Sequence, residues 1–182
     1  MPNTLLYHQD PYTISFDEVA NGFESFYSYH PEMMGCLNIT VFTFKNGAIW
    51  MHKNNTYCNF YGVQYPAEIT SVFSSGGALD KKTWISVMET GNSIWECPII
   101  YTQMSTNGVQ QESTLLVSDF QTLESEYHAS FFKDQNSPAG LIEGDSLKGG
   151  YITIKFANNN ANSFVYLNSA TTKFINSPLN NR

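Results

Sequence analysis

With 182 residues the chain is long enough for one domain with a substantial core and short for two. A formal net charge of -7 leaves no positive field for a phosphate backbone, which excludes nucleic-acid binding of the ordinary kind. Charged residues make up 14% of the chain and aromatics 15%, a balance that favours surfaces covered by neighbouring subunits over a solitary, well-solvated monomer.

In chain order, the polar start Pro2, Asn3, Thr4 has no basic cluster leading into an apolar run, so no secretory signal is expected. No stretch is apolar for long enough to cross a bilayer, and the expectation is a soluble product made in a cytoplasm, without a membrane partner. Tyr12, Ile14 and Phe16 alternate with Thr13 and Ser15, which predicts a strand with one buried face. Ser15 and Glu18 also satisfy a capping box, and Phe16, Val19, Ala20 and Phe23 would line one face of a helix. Gly22 would cost that helix about 1 kcal/mol relative to alanine, so at most a short helical turn is expected there.

Leu37, Ile39 and Val41 alternate with Asn38 and Thr40 and predict a second buried face. Asn46 and Gly47 stand between two apolar runs, the dipeptide that suits a tight hairpin turn through its tolerance of positive φ. Further strands are predicted over 68–73, 82–90, 94–103, 113–118, 127–133 and 163–175, all rich in β-branched and aromatic residues. Ile152, Ile154 and Phe156 form a third alternating face. Ser75, Gly76, Gly77 and Asn107, Gly108 read as turns, Gly140, Gly144, Gly149 and Gly150 as a bent connection, and Asn158, Asn159, Asn160 as a loop tip. No amphipathic helices lie between the strands, which argues against a doubly wound sheet. The predicted fold is all-β, an antiparallel β-sandwich or barrel-like single domain over residues 1–182 with long loops and extended terminal arms.

No constellation carries chemistry by spacing. His8, His30, His52 and His128 are scattered, and Cys36, Cys58 and Cys97 form no Cys-x-x-Cys pair, so neither a metal site nor a disulfide framework is expected and the three thiols are read as small buried apolar groups. Glu96, Glu126, Glu143 and Asp145 are the acid/base candidates, and nothing singles out a pair among them. Cys58 with His52 lacks a local nucleophile signature, and the glycines from Gly140 to Gly150 lack a phosphate-binding pattern. The sequons at Asn38 and Asn54 have no meaning without secretion. Trp50, Trp84, Trp95 and Tyr61 could stack on sugars if exposed, which would make a host-glycan-binding, lectin-like module, but the preferred reading is that these rings fill a sandwich core or a subunit interface. No catalytic residue, metal or cofactor is assigned.

One run of motifs carries a resemblance. Gly22, Phe23, Ser25, Phe26, Ser28, Tyr29, Pro31, Glu32 are followed by Phe42, Thr43, Phe44, Lys45, Asn46, Gly47, Trp50, His52, then Asn59, Phe60, Tyr61, Gly62 and Val72, Phe73. Gly91, Asn92, Trp95, then Glu126, Tyr127, Ala129 and the run Gly144 to Gly149 extend it more weakly. The pattern resembles a virion module of crAss-like phages and related short-tailed phages of Bacteroidetes hosts. Such a resemblance implies a structural, non-catalytic role in the tail or neck, either a ring protein below the portal or part of the tail muzzle. Its partners would be copies of itself in a cyclic homo-oligomer and adjoining tail, neck or portal-proximal proteins, with genome DNA passing unbound along an acidic channel. Met33, Met34, Gly35, Cys36 depart from the pattern after Glu32, and the chain is far shorter than a muzzle protein, which points to a small ring component. Tyr27, Tyr29, Trp50 and Tyr61 are the interface candidates.

Overall fold

A computed structural model describes residues 13–52, 55–74, 76, 80–104, 110–137 and 144–177. His8, Glu143, Gly140 and the turn expected at Asn107 and Gly108 lie outside them. The architecture is all-β and antiparallel, in open sheets with no closed barrel. The packing gathers into two compact units, one of residues 1–65 with 161–163 and one of residues 66–160 with 164–182, a finer division than the one domain expected.

Unit 1 holds three small sheets. Strands β1 (Thr13–Asp17) and β2 (Gly22–Tyr27) form a hairpin, β3 (Met33–Leu37), β4 (Thr40–Lys45) and β5 (Ala48–Met51) a meander, and β6 (Asn59–Phe60) with β7 (Val63–Gln64) a short ribbon. The helical alternative near the N-terminus is not adopted. Asp17 Oδ1 accepts the backbone N–H of Val19 at 2.6 Å and of Ala20 at 3.1 Å, closing a turn that sends the chain back as β2. Those bonds, Ala20's first, hold the Asp17 carboxyl below its usual range. Between β4 and β5, Asn46 and Gly47 both take positive φ, 53° and 73°, as a two-residue hairpin turn with the strand twist requires.

Residues 37–41 are not the strand their alternation predicts. Asn38 takes φ 55° and the chain reverses there between β3 and β4, leaving Leu37, Ile39 and Val41 exposed. A second difference lies in β1, where Ile14 and Phe16 face outward instead of into a core.

Unit 2 is a two-layer sandwich. One sheet runs β11 (Gln110–Leu115), β10 (Glu96–Met104), β15 (Tyr151–Asn158), β8 (Ala67–Ser74). In the other, β9 (Lys82–Gly91) pairs with β16 (Leu167–Asn176) along one side and with β13 (Glu126–Ser130) and β14 (Lys148–Gly149) along the other, and β12 (Gln121–Leu123) flanks β13. The core between the layers is built from Trp84, Val87, Trp95, Cys97, Ile100, Leu115 and the expected trio Ile152, Ile154, Phe156. Each buried aliphatic of that set contributes about 2 kcal/mol. The one helical turn among the described residues, Val117–Asp119, is closed by Asp119 Oδ2 accepting the Leu116 N–H at 2.7 Å.

A bulge shapes β9. Lys173 pairs with Ser86 and Phe174 with Trp84, so Ile85 is an extra residue, and the inward positions change from Lys82 and Trp84 to Val87 and Glu89. Buried Lys82 donates to the carbonyls of Asp80 at 3.2 Å and Gly150 at 3.1 Å, and lies 5.7 Å from the centre of the Phe174 ring. The free edge of β11 is covered by the segment after β13, where Asp134 Oδ1 accepts from the N–H groups of Glu112 and Asn136, both at 3.0 Å. Among the described residues β8 and β16 each pair along one edge only.

Candidate functional site

The distinctive surface of this chain is in unit 1, and it follows from how the sheet faces are divided. Opposed residues on antiparallel strands share a face, so the registers Met33–Phe44–Ile49 and Gly35–Phe42–Met51, with Leu37–Thr40, place an uncharged set on one side of the meander. Met33, Leu37, Ile49 and Met51 are more than half exposed there. At on the order of 200 Å² for each fully exposed large side chain, those four alone present about 500 Å², as much as the largest apolar patch of a typical monomer.

The hairpin repeats the arrangement with different side chains. Ile14 pairs with Phe26, and past an irregularity at Glu24 Phe16 pairs with Phe23, their rings edge to face at 5.2 Å. These residues point outward, Phe23 being 68% and Phe26 69% exposed. The inward side carries Thr13, Ser15, Ser25 and Tyr27, and Ser15 Oγ is buried there with no hydrogen-bond partner. The usual amphipathic pattern is therefore reversed: hydroxyls face in and phenylalanines face out.

Both sheets turn their inward sides to one cluster of rings. Tyr29, 8% exposed, lies at its centre, stacked on Phe60 at 4.4 Å and on His52 at 5.2 Å, with Tyr61 edge-on at 5.6 Å and Tyr27 at 5.5 Å. Trp50 meets Tyr61 edge to face at 5.5 Å. The four interface candidates Tyr27, Tyr29, Trp50 and Tyr61 thus come together, facing one another as a small internal core.

A hydrogen-bond chain ties this cluster to β4. The Tyr61 hydroxyl donates to Thr43 Oγ1 at 3.0 Å, and Thr43 Oγ1 lies 2.8 Å from His52 Nε2. Burial holds the His52 imidazole below its ordinary pKa, which favours its neutral form. A hydroxyl beside an imidazole is nucleophile-and-base geometry, but Thr43 is wholly buried and no substrate reaches it. Because the folded imidazole titrates below the unfolded one, its contribution is complete above about pH 6.5 and is lost as pH falls. Acidification from pH 7 to 5 is expected to loosen unit 1, read as a falling near-ultraviolet tyrosine signal. A His52→Gln chain should lose that dependence; a wild-type signal flat across the range would contradict the assignment.

The remaining candidates are dispersed. Glu96 is half-buried on β10, Glu126 on β13 pairs with His128 at 3.3 Å, and Asp145 is exposed. No group of three or more His, Cys, Asp or Glu gathers at metal-binding distance among the described residues. Of the three free thiols only Cys97 is buried; Cys36 is exposed and Cys58 half-buried at φ 55°, so burial of all three is corrected. Trp84 and Trp95 are core residues with no face open to a sugar.

Two features escaped sequence reasoning. The outward faces were invisible because alternation separates two sides of a strand without saying which is inside. Buried Glu89, whose Oε2 accepts the Trp95 N–H at 3.0 Å and whose Oε1 lies 3.8 Å from Cys97 Sγ, gives no local signal. Neither a family model nor a curated protein matches the chain.

Proposed function

We propose that this protein is a structural subunit of a bacteriophage virion, a ring-forming tail or neck component around the DNA channel, working in the assembled virion by fitting against copies of itself and adjoining layers. The observation that carries the assembly part is the pair of largely apolar faces on unit 1, which an isolated subunit leaves in water at a cost and an assembly covers. The virion part rests on the resemblance of residues 22–73, and the net charge of -7 suits a wall that passing phosphates should not stick to.

A host-glycan-binding module is the second reading. In its favour is a cleft of about 370 Å³ in unit 2, where Ser93, Glu96, Asn158 and Asn159 stand among the apolar Ile94, Val117 and Ala157, with the Glu96 carboxylate the group offered to a sugar hydroxyl. Electron microscopy and light scattering of the purified full chain separate the two. Closed rings of uniform size are expected; a strict monomer that binds a glycan array, and loses binding on Glu96→Gln, would replace the first reading with the second.

A further inference from the structure

Resting on the assembly reading, we propose that subunits join head to tail, the phenylalanine face of the β1–β2 hairpin of one copy seating on the methionine, leucine and isoleucine face of the β3–β4–β5 meander of the next. Each unit 1 carries one face of each kind. Both look away from the ring cluster, because each sheet gives its other side to Tyr29 and its neighbours.

Three properties select a second copy in this orientation. The meander face bears no charged side chain and the hairpin face one, the exposed Glu24 of the bulge beside Phe23, which the contact must leave in water. Their side chains differ usefully: Phe16 and Phe23 form a stiff edge-to-face pair, while Met33 and Met51 are unbranched thioethers that adapt to aromatic rings. Each face offers roughly 400–500 Å², so one junction buries about 900 Å² in total, between lattice-type contacts and the roughly 1,200–2,000 Å² of stable pairs. A single junction of that size is weak, whereas a closed ring engages every copy twice. Self-pairing of either face would need two unrelated symmetric contacts to cover both, while one heterologous contact covers both on every copy.

The test places a carboxylate on each face in the full chain. Phe23→Glu blocks the hairpin face and Ile49→Glu the meander face; both positions are exposed, so the circular dichroism of each variant should match wild type, whose melting temperature alone is raised by assembly. Phe16→Glu and Met51→Glu repeat the test on the same faces. In sedimentation velocity, wild type is expected as a closed oligomer and each variant alone as a monomer, its self-association weakened at least ~100-fold. An equimolar mixture of the two should form a dimer and stop there, since it retains one intact face of each kind. A variant that still dimerises alone, or a mixture that fails to pair even at concentrations far above the one at which wild type closes, where a single junction can form, overturns the head-to-tail contact and leaves the assembly reading standing. Wild type that stays monomeric at every concentration removes self-assembly itself.

Discussion

Gly91→Ala is expected to destabilise unit 2 by about 3 kcal/mol, seen as a lower urea midpoint with an unchanged slope. Gly91 ends β9, and its conformation is one that any residue adopts; what it lacks is space. A Cβ there would stand 2.3 Å from the Tyr166 carbonyl oxygen and 3.4 Å from Leu167 Cα, both backbone atoms that cannot swing aside. Relief requires β16 to part from β9, and the next residue resists that: Asn92 Oδ1 accepts the Tyr166 N–H and its Nδ2 donates to the Phe164 carbonyl, both at 2.8 Å, so the side-chain amide extends the ladder by one rung. The following turn delivers Trp95 into the core. An unchanged midpoint would mean that the approach of these strands is not what Gly91 permits.

The second large effect is a stability of unit 2 that falls as pH rises. Burial pushes the Glu89 carboxyl up to about 7, against which the Trp95 N–H and the Cys97 thiol act in its favour only partly. In the unfolded chain the same group titrates near 4.5. Between those values the folded state holds a proton that the unfolded state releases, so stability is greatest below about pH 4.5 as far as this group decides it, and declines through pH 7 by up to about 3 kcal/mol. The neighbouring thiol stays protonated, since burial raises the Cys97 pKa as well. Glu89→Gln retains an acceptor for Trp95 and removes the titration. Its urea midpoint should match wild type at pH 4.5 and exceed it at pH 8; two parallel curves across that interval would show that the carboxyl titrates alike in both states.

Much of the fold was legible because its signals are local. Asn46–Gly47 needs only its own tolerance of positive φ, and Ile152, Ile154 and Phe156 lie on a strand whose inward side the core fixes. The failures come from information held elsewhere in the chain. Leu37, Ile39 and Val41 alternate like a strand, yet Asn38 in a left-handed conformation converts the segment into a reversal. Glu89 is spelled like any solvated acid and is carried inward by the bulge at Ile85, one extra residue that exchanges the two sides of β9 beyond it. The reversed hairpin is the deepest case, for hydroxyls facing in and rings facing out use the same letters as the ordinary arrangement. Tyr27, Tyr29, Trp50 and Tyr61, read from the sequence as interface or core alike, have their rings turned to one another.

That β8 and β16 each have one edge unpaired among the described residues sets a rule for handling this chain. A strand with one unsatisfied row of amides is a template for any extended segment that drifts alongside, and here two such rows, eight and ten residues long, belong to a single sandwich. Lys173 on one, and Glu68 on the other, paired with Lys155 at 2.9 Å, are charged side chains of the kind that make an edge a poorer template. High salt screens the mutual repulsion of molecules that each carry a net charge of -7, so dilute, low-salt buffer is the medium in which lateral stacking along these edges is least favoured.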